Sequence, residues 1–283
     1  MIDTRKKIFA VVQDYTVSKE TFGLYMDPDT DMLITFPKPK TSALGKYYES
    51  QDYISHTDST RNAFDKAYQI VKNIAIKNKV KLIDGFCKEK GNLLDIGAGT
   101  GDFLVAAKKD GWNTTAVEPN AAASALIQKK GLICYHDTTV LTSGSFDVIS
   151  MWHVLEHVPD VDAQLRELKR LLKPNGTILV AVPNYKSFDA KYYGRFWAAF
   201  DVPRHLWHFS KNSIKIIFAK HGFLLAQVLP MWFDAFYVSM LSEKYMNGKI
   251  NFFNAFLVGL KSNLQARKTK QFSSQIYLLK VTT

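Results

Sequence analysis

Residues 93–103 read Leu-Leu-Asp-Ile-Gly-Ala-Gly-Thr-Gly-Asp-Phe, an apolar run that breaks into alternate glycines before the chain becomes helix-forming. A short continuous apolar run suits a strand buried on both faces. Without a Cβ, the glycines at 97, 99 and 101 permit unusual backbone angles and close approach of a ligand. The helix beyond them offers unpaired N–H groups to a carboxylate. A strand, a glycine turn and a helix in this order point to an α/β fold with a parallel sheet.

The rest of the chain agrees. A long helix over about 61–90 precedes the strand Asn92–Ile96 and is punctuated by Gly91; the next helix, Asp102–Lys109, ends at Gly111. Strand 113–118 follows, and Asn120 is placed to cap a helix that stops at Gly131. Segments 132–135 and 147–152 read as strands, and 161–172 as a helix with Leu165, Leu168, Leu171 and Leu172 on one side. A Pro174-Asn175-Gly176 turn leads into the strand at 177–182. Ser210 can cap a helix at 211–222, followed by strands at 223–229 and Ser274–Val281, with two aromatic-rich helices between them at about 232–271. Such βα alternation predicts a right-handed, mostly parallel sheet with helices on both faces.

The length of 283 residues accommodates one large α/β domain with additions. No segment approaches the roughly 18 apolar residues that span a bilayer. The N-terminus lacks the apolar core and cleavage site of a signal peptide. Cys87 and Cys134 are too few for a disulfide framework, and a reducing cytoplasm is the simplest compartment. The net charge of +11 raises the question of an acidic partner. Lys72, Lys77, Lys79 and Lys81 on the first helix read more simply as a solvated face than as a nucleic-acid surface.

Glu118 ends the second strand about 20 residues after the glycines, where a carboxylate can accept from ribose hydroxyls. Nicotinamide enzymes share that acid, but their fingerprint is Gly-x-Gly-x-x-Gly, whereas this loop is Gly-x-Gly-x-Gly. DIGAGTGDF, VEPN, FDVISMWHVLEHVPD and LLKPNGTILVAVPN, in that order over about residues 92–230, resemble the class I S-adenosylmethionine-dependent methyltransferases. The resemblance is to the small-molecule branch that includes quinone-pathway enzymes. It implies a Rossmann-like seven-stranded sheet whose last strand is antiparallel, with S-adenosylmethionine as cofactor. It further implies that Gly97, Ala98, Gly99 and Gly101 border the methionine part, with Asp95 organising the loop or meeting the amine. Glu118 and Pro119 fall at the ribose, Asp137 and Thr138 on the adenine side, and Trp152 leaves the fourth strand beside the cofactor.

Methyl transfer displaces a good neutral leaving group, so alignment and desolvation supply much of the catalysis. A base is needed only where the nucleophile must lose a proton. Two histidine clusters stand at the carboxyl edge of the sheet. In Trp152-His153-Val154-Leu155-Glu156-His157, His153 reads as a base, an orienting group or a structural residue, and His157 as packing. In Asp201-Val202-Pro203-Arg204-His205-Leu206-Trp207-His208, Arg204 and His205 are candidate pocket residues. The alternative there is an Asp201–Arg204 pair pinning the loop, with His208 capping the next helix. Without a recognisable ligand spacing no metal is expected.

No Asn-Pro-Pro-Tyr, Asp-Pro-Pro-Tyr or cysteine follows the fourth strand, so base chemistry on nucleic acid is not expected. Residues 1–60 form an N-terminal extension resembling the segment around a small zinc ribbon, with Asp27 and Thr30 where Cys-x-x-Cys would fall; no zinc is expected. Tyr47, Tyr48 and Tyr53 read as an aromatic lid or as packing. The methyltransferase domain then covers 61–283. Its insertion at about 232–271 reads first as packing or homodimer surface, second as a lid, third as a contact to a membrane or lipid-like substrate. The expected activity is methyl transfer to a hydroxyl, amine or carbon of a small, partly apolar molecule. A nicotinamide-dependent oxidoreductase and a non-catalytic cofactor-binding module are the rivals.

Overall fold

The computed structural model describes residues 7–48, 63–87 and 89–282. Its N-terminal strands β1 (Lys7–Gln13), β2 (Thr21–Asp27) and β3 (Met32–Phe36) form an antiparallel sheet completed by the short β9 (Trp207–His208). The β2–β3 turn closes because Asp27 Oδ1 accepts from the N–H groups of Asp29 and Thr30, at 2.9 and 3.3 Å. Tyr53 and the rest of 49–62 lie outside the described residues.

After helix α1 (Ala63–Asp84), β4 (Asn92–Ile96) opens the main sheet. It is followed by α2 (Asp102–Lys109), β5 (Asn113–Val117), α3 (Ala121–Lys129), β6 (Ile133–Tyr135), β7 (Phe146–Trp152), α4 (Val161–Leu171) and β8 (Leu172–Pro183). The short α5 (Phe188–Tyr193), β9, α6 (Lys211–Lys220) and β10 (Phe223–Pro230) come next. The insertion is α7 (Asp234–Asn247) and α8 (Phe252–Thr269), and β11 (Ser274–Val281) ends the fold. The strand order is β10-β11-β8-β7-β4-β5-β6; β4 to β8 run parallel, and β11 runs antiparallel to β8 and β10. The chain winds outward from β4 to β6, then returns to β7 beside β4. Loops leaving β4 and β7 diverge there, and open α/β sheets bind ligands at that kind of reversal.

The pattern of β8 shows why the sheet is covered on both sides. Ile178, Val180 and Val182 enter the core layer with Leu165, Leu168 and Ile214, whereas Leu179 and Ala181 enter the opposite layer with Leu104, Trp112 and Ile127. Successive strand side chains point to opposite faces, so a continuous aliphatic run supplies both layers. Asn120, Asp160 and Ser210 cap their helices, the last in a reciprocal capping box with Ser213. The Pro174–Gly176 turn is an excursion inside β8, since Leu172 pairs with Phe146 and Thr177 already with Val148. Gly85 rather than Gly91 ends the first helix. Of its lysines, 77 and 81 are exposed as expected. Lys72 instead meets Asp102 at 2.7 Å, and Lys79 lies 4.2 Å over the Trp152 ring.

A third apolar cluster joins the N-terminal sheet to the segment after β8: Leu24 and Leu33 pack with Tyr193, Trp197 and Phe200. The buried Asp189 accepts from Trp197 Nε1, Ser262 Oγ and Ser273 Oγ at 2.6–2.8 Å. That carboxylate ties α8 to the body of the fold.

Candidate active site

Gly97, Gly99 and Gly101 all take left-handed backbone angles, with φ of 70°, 56° and 75°. Their surroundings differ. A Cβ at Gly97 would meet Val154 Cγ2 at 2.4 Å and one at Gly101 would meet Ile127 at 3.0 Å, but one at Gly99 meets nothing within 4 Å. The outer two glycines therefore permit packing, and the middle one faces open space. Gly97 and Ala98 donate to Val117 O at 2.8 and 3.2 Å, which fixes the loop over the end of β5.

Glu118, buried at the end of β5, accepts from the N–H groups of Gly99 and Asn120 at 2.8 and 2.9 Å. One carboxylate thus sets the loop and the next turn together. Pro119 is exposed beside it. Beneath the loop, Asp95 is buried and accepts from Ser150 Oγ at 2.6 Å. Burial pushes its carboxyl up to about 7, against the pull of Ser150 and Lys79 and with a further push from Glu118. Asp102, at the start of α2, would be raised by its burial but is brought down to about 2 by Lys130, Lys72 and Thr100. Asp137 is exposed and turns back on Thr139, while Thr138 O accepts from Arg170.

Trp152 packs edge-on to Phe103 and borders a cavity of about 310 Å³ with Lys79, Met231 and Asp234; its buried Nε1 has no partner among the described residues. His153 takes a left-handed φ of 58°, a strained angle for a residue with a side chain. Its Nδ1 lies 3.3 Å from Glu156 Oε1 and its Nε2 3.2 Å from Asp234 Oδ2. Desolvation disfavours its charge, but the two carboxylates prevail and hold the imidazolium up to about 10. Both ring nitrogens are engaged by carboxylates, a geometry that suits an orienting cation. Asp234 opens α7, so this ion pair also fastens the insertion to β7.

The second cluster separates into a pocket residue and a buried strut. A cavity of about 720 Å³ lies between His153, Pro183 and Ser274 at the sheet edge, the Ala198–Ala199–Asp201–His205 segment, Tyr15 and Thr16, and α7. His205 borders it with Nδ1 2.9 Å from Ala199 O. A carbonyl only accepts, so Nδ1 carries a proton and Nε2 is the ring nitrogen that can accept one. Arg204 is 1% exposed and does not reach that cavity. Its guanidinium is spent on Asp201, Asp14 Oδ1 at 2.9 Å, Thr16 Oγ1 at 2.6 Å and Tyr47 O at 2.9 Å. The pocket reading of Arg204 is therefore replaced by the strut reading. His208 pairs with Thr35 Oγ1 at 2.9 Å across β9 and β3, leaving the helix cap to Ser210. Tyr47 Oη donates to Glu20, and Tyr48 Oη lies 3.1 Å from His157.

Two groupings were invisible in the sequence. Lys79 reaches Trp152 and faces the charges of Asp95 and Asp234, although its face of the helix read as solvated. Glu156, His157 and His205 each offer one ligand atom, all within 4.8 Å of one another. Burial, with His205 alongside, takes His157 down to about 4, and Glu156 Oε2 is buried without a partner among the described residues. Those donors have the chemistry of a divalent-cation site. They come from segments 48 residues apart, so no local spacing announces them.

A parallel sheet reversing beside a glycine loop, with an acid at the end of the next strand, defines a nucleotide-type cofactor site of the class I methyltransferase kind. A methyltransferase domain model matches residues 54–228, and the chain belongs to that family. It is similar to ubiquinone biosynthesis O-methyltransferases, with 29% identity over 168 residues in Bradyrhizobium sp. and 32% over 103 residues in Sodalis glossinidius. These matches cover 52% and 33% of this chain, but only 66% and 41% of those proteins. Among solved structures it resembles an S-adenosylmethionine-dependent methyltransferase from Thermotoga maritima, at TM-score 0.53 and 20% identity over 78% of this chain and 97% of that one. It also resembles the 1,6-didemethyltoxoflavin-N1-methyltransferase of Burkholderia thailandensis, at TM-score 0.52 and 14% identity over 91% and 98%. Its fold is that of the S-adenosylmethionine-dependent methyltransferases. Family membership sets aside the oxidoreductase.

Proposed function

We propose that the protein methylates a hydroxyl oxygen of a small, partly apolar acceptor held in the 720 Å³ cavity, with His205 Nε2 taking the proton. The observation that carries this reading is the His205 tautomer: Ala199 O holds Nδ1–H, which leaves the other nitrogen basic at the cavity wall. Asp201 Oδ2 lies 4.0 Å from that Nε2. The names of the quinone-pathway relatives support oxygen as the acceptor atom.

S-adenosylmethionine supplies an electrophilic methyl group whose sulfur departs as a neutral thioether. The open space at Gly99 and the start of α2 suit its amino-acid end. Glu118 uses one lone pair per oxygen on Gly99 and Asn120 and keeps capacity for ribose hydroxyls beside Pro119. Gly97, Ala98 and Gly101 shape the loop, Asp95 with Lys79 sits below it, and Trp152 flanks it. Asp137 and Thr138 border the adenine side. The acceptor would lie against Tyr15, Tyr237, Val238, Leu241 and Tyr245, an apolar wall with a few polar groups. His153, held as a cation between Glu156 and Asp234, positions α7, which carries most of that wall.

The test is the initial rate of labelled methyl transfer into a small-molecule extract. His205→Ala should lower it by about 10²-fold or more, with partial recovery on adding imidazole and unchanged affinity for S-adenosylhomocysteine. A folded His205→Ala protein with the wild-type rate removes His205 as the base.

A further inference from the structure

The outer face of α8 takes no part in the cavity. Ala255, Val258, Gly259, Ser262 and Ala266 turn inward, Gly259 against Phe236 and Ser262 against Asp189. On the opposite side Phe252, Phe253, Phe256, Leu257, Leu260 and Leu264 are 38–74% exposed. At 100° per residue these six fall within an arc of roughly 140°, a wide apolar stripe facing away from the body of the fold. Three adjacent exposed phenylalanines on one stripe are more than scattered surface apolarity.

Charge identifies what covers it. Residues 244–283 hold six lysines and one arginine and no aspartate or glutamate. Lys261 and Lys268 fall at one edge of the stripe on the helical wheel, and Lys249 precedes the helix. A second copy of the chain meeting this face about a two-fold axis would set those cations against themselves. An anionic bilayer offers the complementary sign, and an amphipathic helix with aromatic residues on one face and cations at its border lies in such an interface. No helix among the described residues is long and apolar enough to cross a membrane, so the contact is peripheral.

We infer that α8 docks the protein on an anionic lipid bilayer, with Phe252, Phe253 and Phe256 entering the headgroup–acyl boundary and Lys261 and Lys268 meeting the lipid phosphates. This stands independently of the acceptor and of His205. The test is co-sedimentation of the full chain with vesicles of phosphatidylcholine alone or with about a third phosphatidylglycerol. Binding should be confined to the anionic vesicles and weaken in high salt. Each cation removed should cost about fivefold, so Lys261→Gln with Lys268→Gln weakens binding about 25-fold. Phe252→Ser, Phe253→Ser and Phe256→Ser together should abolish it. Phe252 and Phe253 are exposed while Phe256 also stacks on Phe236 at 5.6 Å, so cofactor affinity and melting temperature are measured on the same samples to confirm that the variant is folded. Equal binding to both vesicle types, no binding to either, or binding that survives the phenylalanine substitutions overturns the inference. So does a dimer in sedimentation equilibrium that the same substitutions dissociate.

Discussion

Replacing Arg204 by Met tests whether this residue is a strut or an acceptor ligand. The guanidinium is 1% exposed and is shared between Asp14, which is fully buried, and Asp201, whose side chain is 21% exposed. Breaking a buried pair by removing one partner costs about 3–5 kcal/mol, because a buried charge is left behind. Two features place this case at the lower end. Asp201 can rehydrate, and Asp14 keeps the N–H groups of Thr16, Val17 and Ser18 together with Ser18 Oγ. A loss of about 3 kcal/mol lowers the melting temperature by about 6–12 °C in a domain of this size. The sign with pH follows from Asp14. Burial alone would raise its carboxyl, but Arg204 and the backbone donors hold it well below the carboxylate range. Its contribution is therefore complete above its ordinary value near 4 and is lost as the pH falls further, so the gap between wild type and variant narrows in acid. Calorimetric melting at pH 7 and in acid checks both points. An unchanged melting temperature with lost methyl transfer would refute the strut and return Arg204 to the acceptor.

Glu118→Ala should weaken S-adenosylhomocysteine binding by about 1–3 kcal/mol in calorimetry, since a charge-assisted acceptor and the anchor of the glycine loop are lost together. Gly99→Val should abolish measurable binding, because its side chain fills the open space before the loop and strains a φ of 56°. Near-normal affinity would show that the cofactor does not approach there. The His153 ring should titrate far above the ordinary histidine range by NMR, and Asp234→Asn should lower it. Because its folded pKa is raised, the stabilisation from this clamp is complete below about 6.5 and disappears as the pH rises through about 10. Melting curves that do not weaken towards alkaline pH relative to Asp234→Asn would contradict it.

Much of the fold was legible because its determinants are local. The aliphatic runs at β4, β7 and β8 must be buried on both faces, and Asn120 and Ser210 mark helix starts by their own side-chain oxygens. The turn at the three glycines was legible for the same reason, as all three take left-handed angles within one short loop. What escaped depends on residues far apart in sequence. Arg204 looked like a pocket cation because its partner Asp14 lies 190 residues away, on a strand hairpin with no distinctive pattern. Lys79 looked solvated because helical spacing alone does not reveal that Trp152 and Asp95 lie against that face. His153 stayed open between base, orienting group and structural residue because Asp234, which meets its second nitrogen, belongs to the distant insertion.

The most direct measurement is transfer of a carbon-13 methyl group from S-adenosylmethionine into a native small-molecule extract, followed by NMR of the labelled product. The account predicts a label in the methyl-ether region, on a molecule small enough for the cavity, at a rate that collapses in Gly99→Val and in His205→Ala. A folded protein that binds S-adenosylhomocysteine yet places the label on nitrogen or carbon would contradict the oxygen acceptor. One that transfers no label to any component would contradict the small-molecule reading itself.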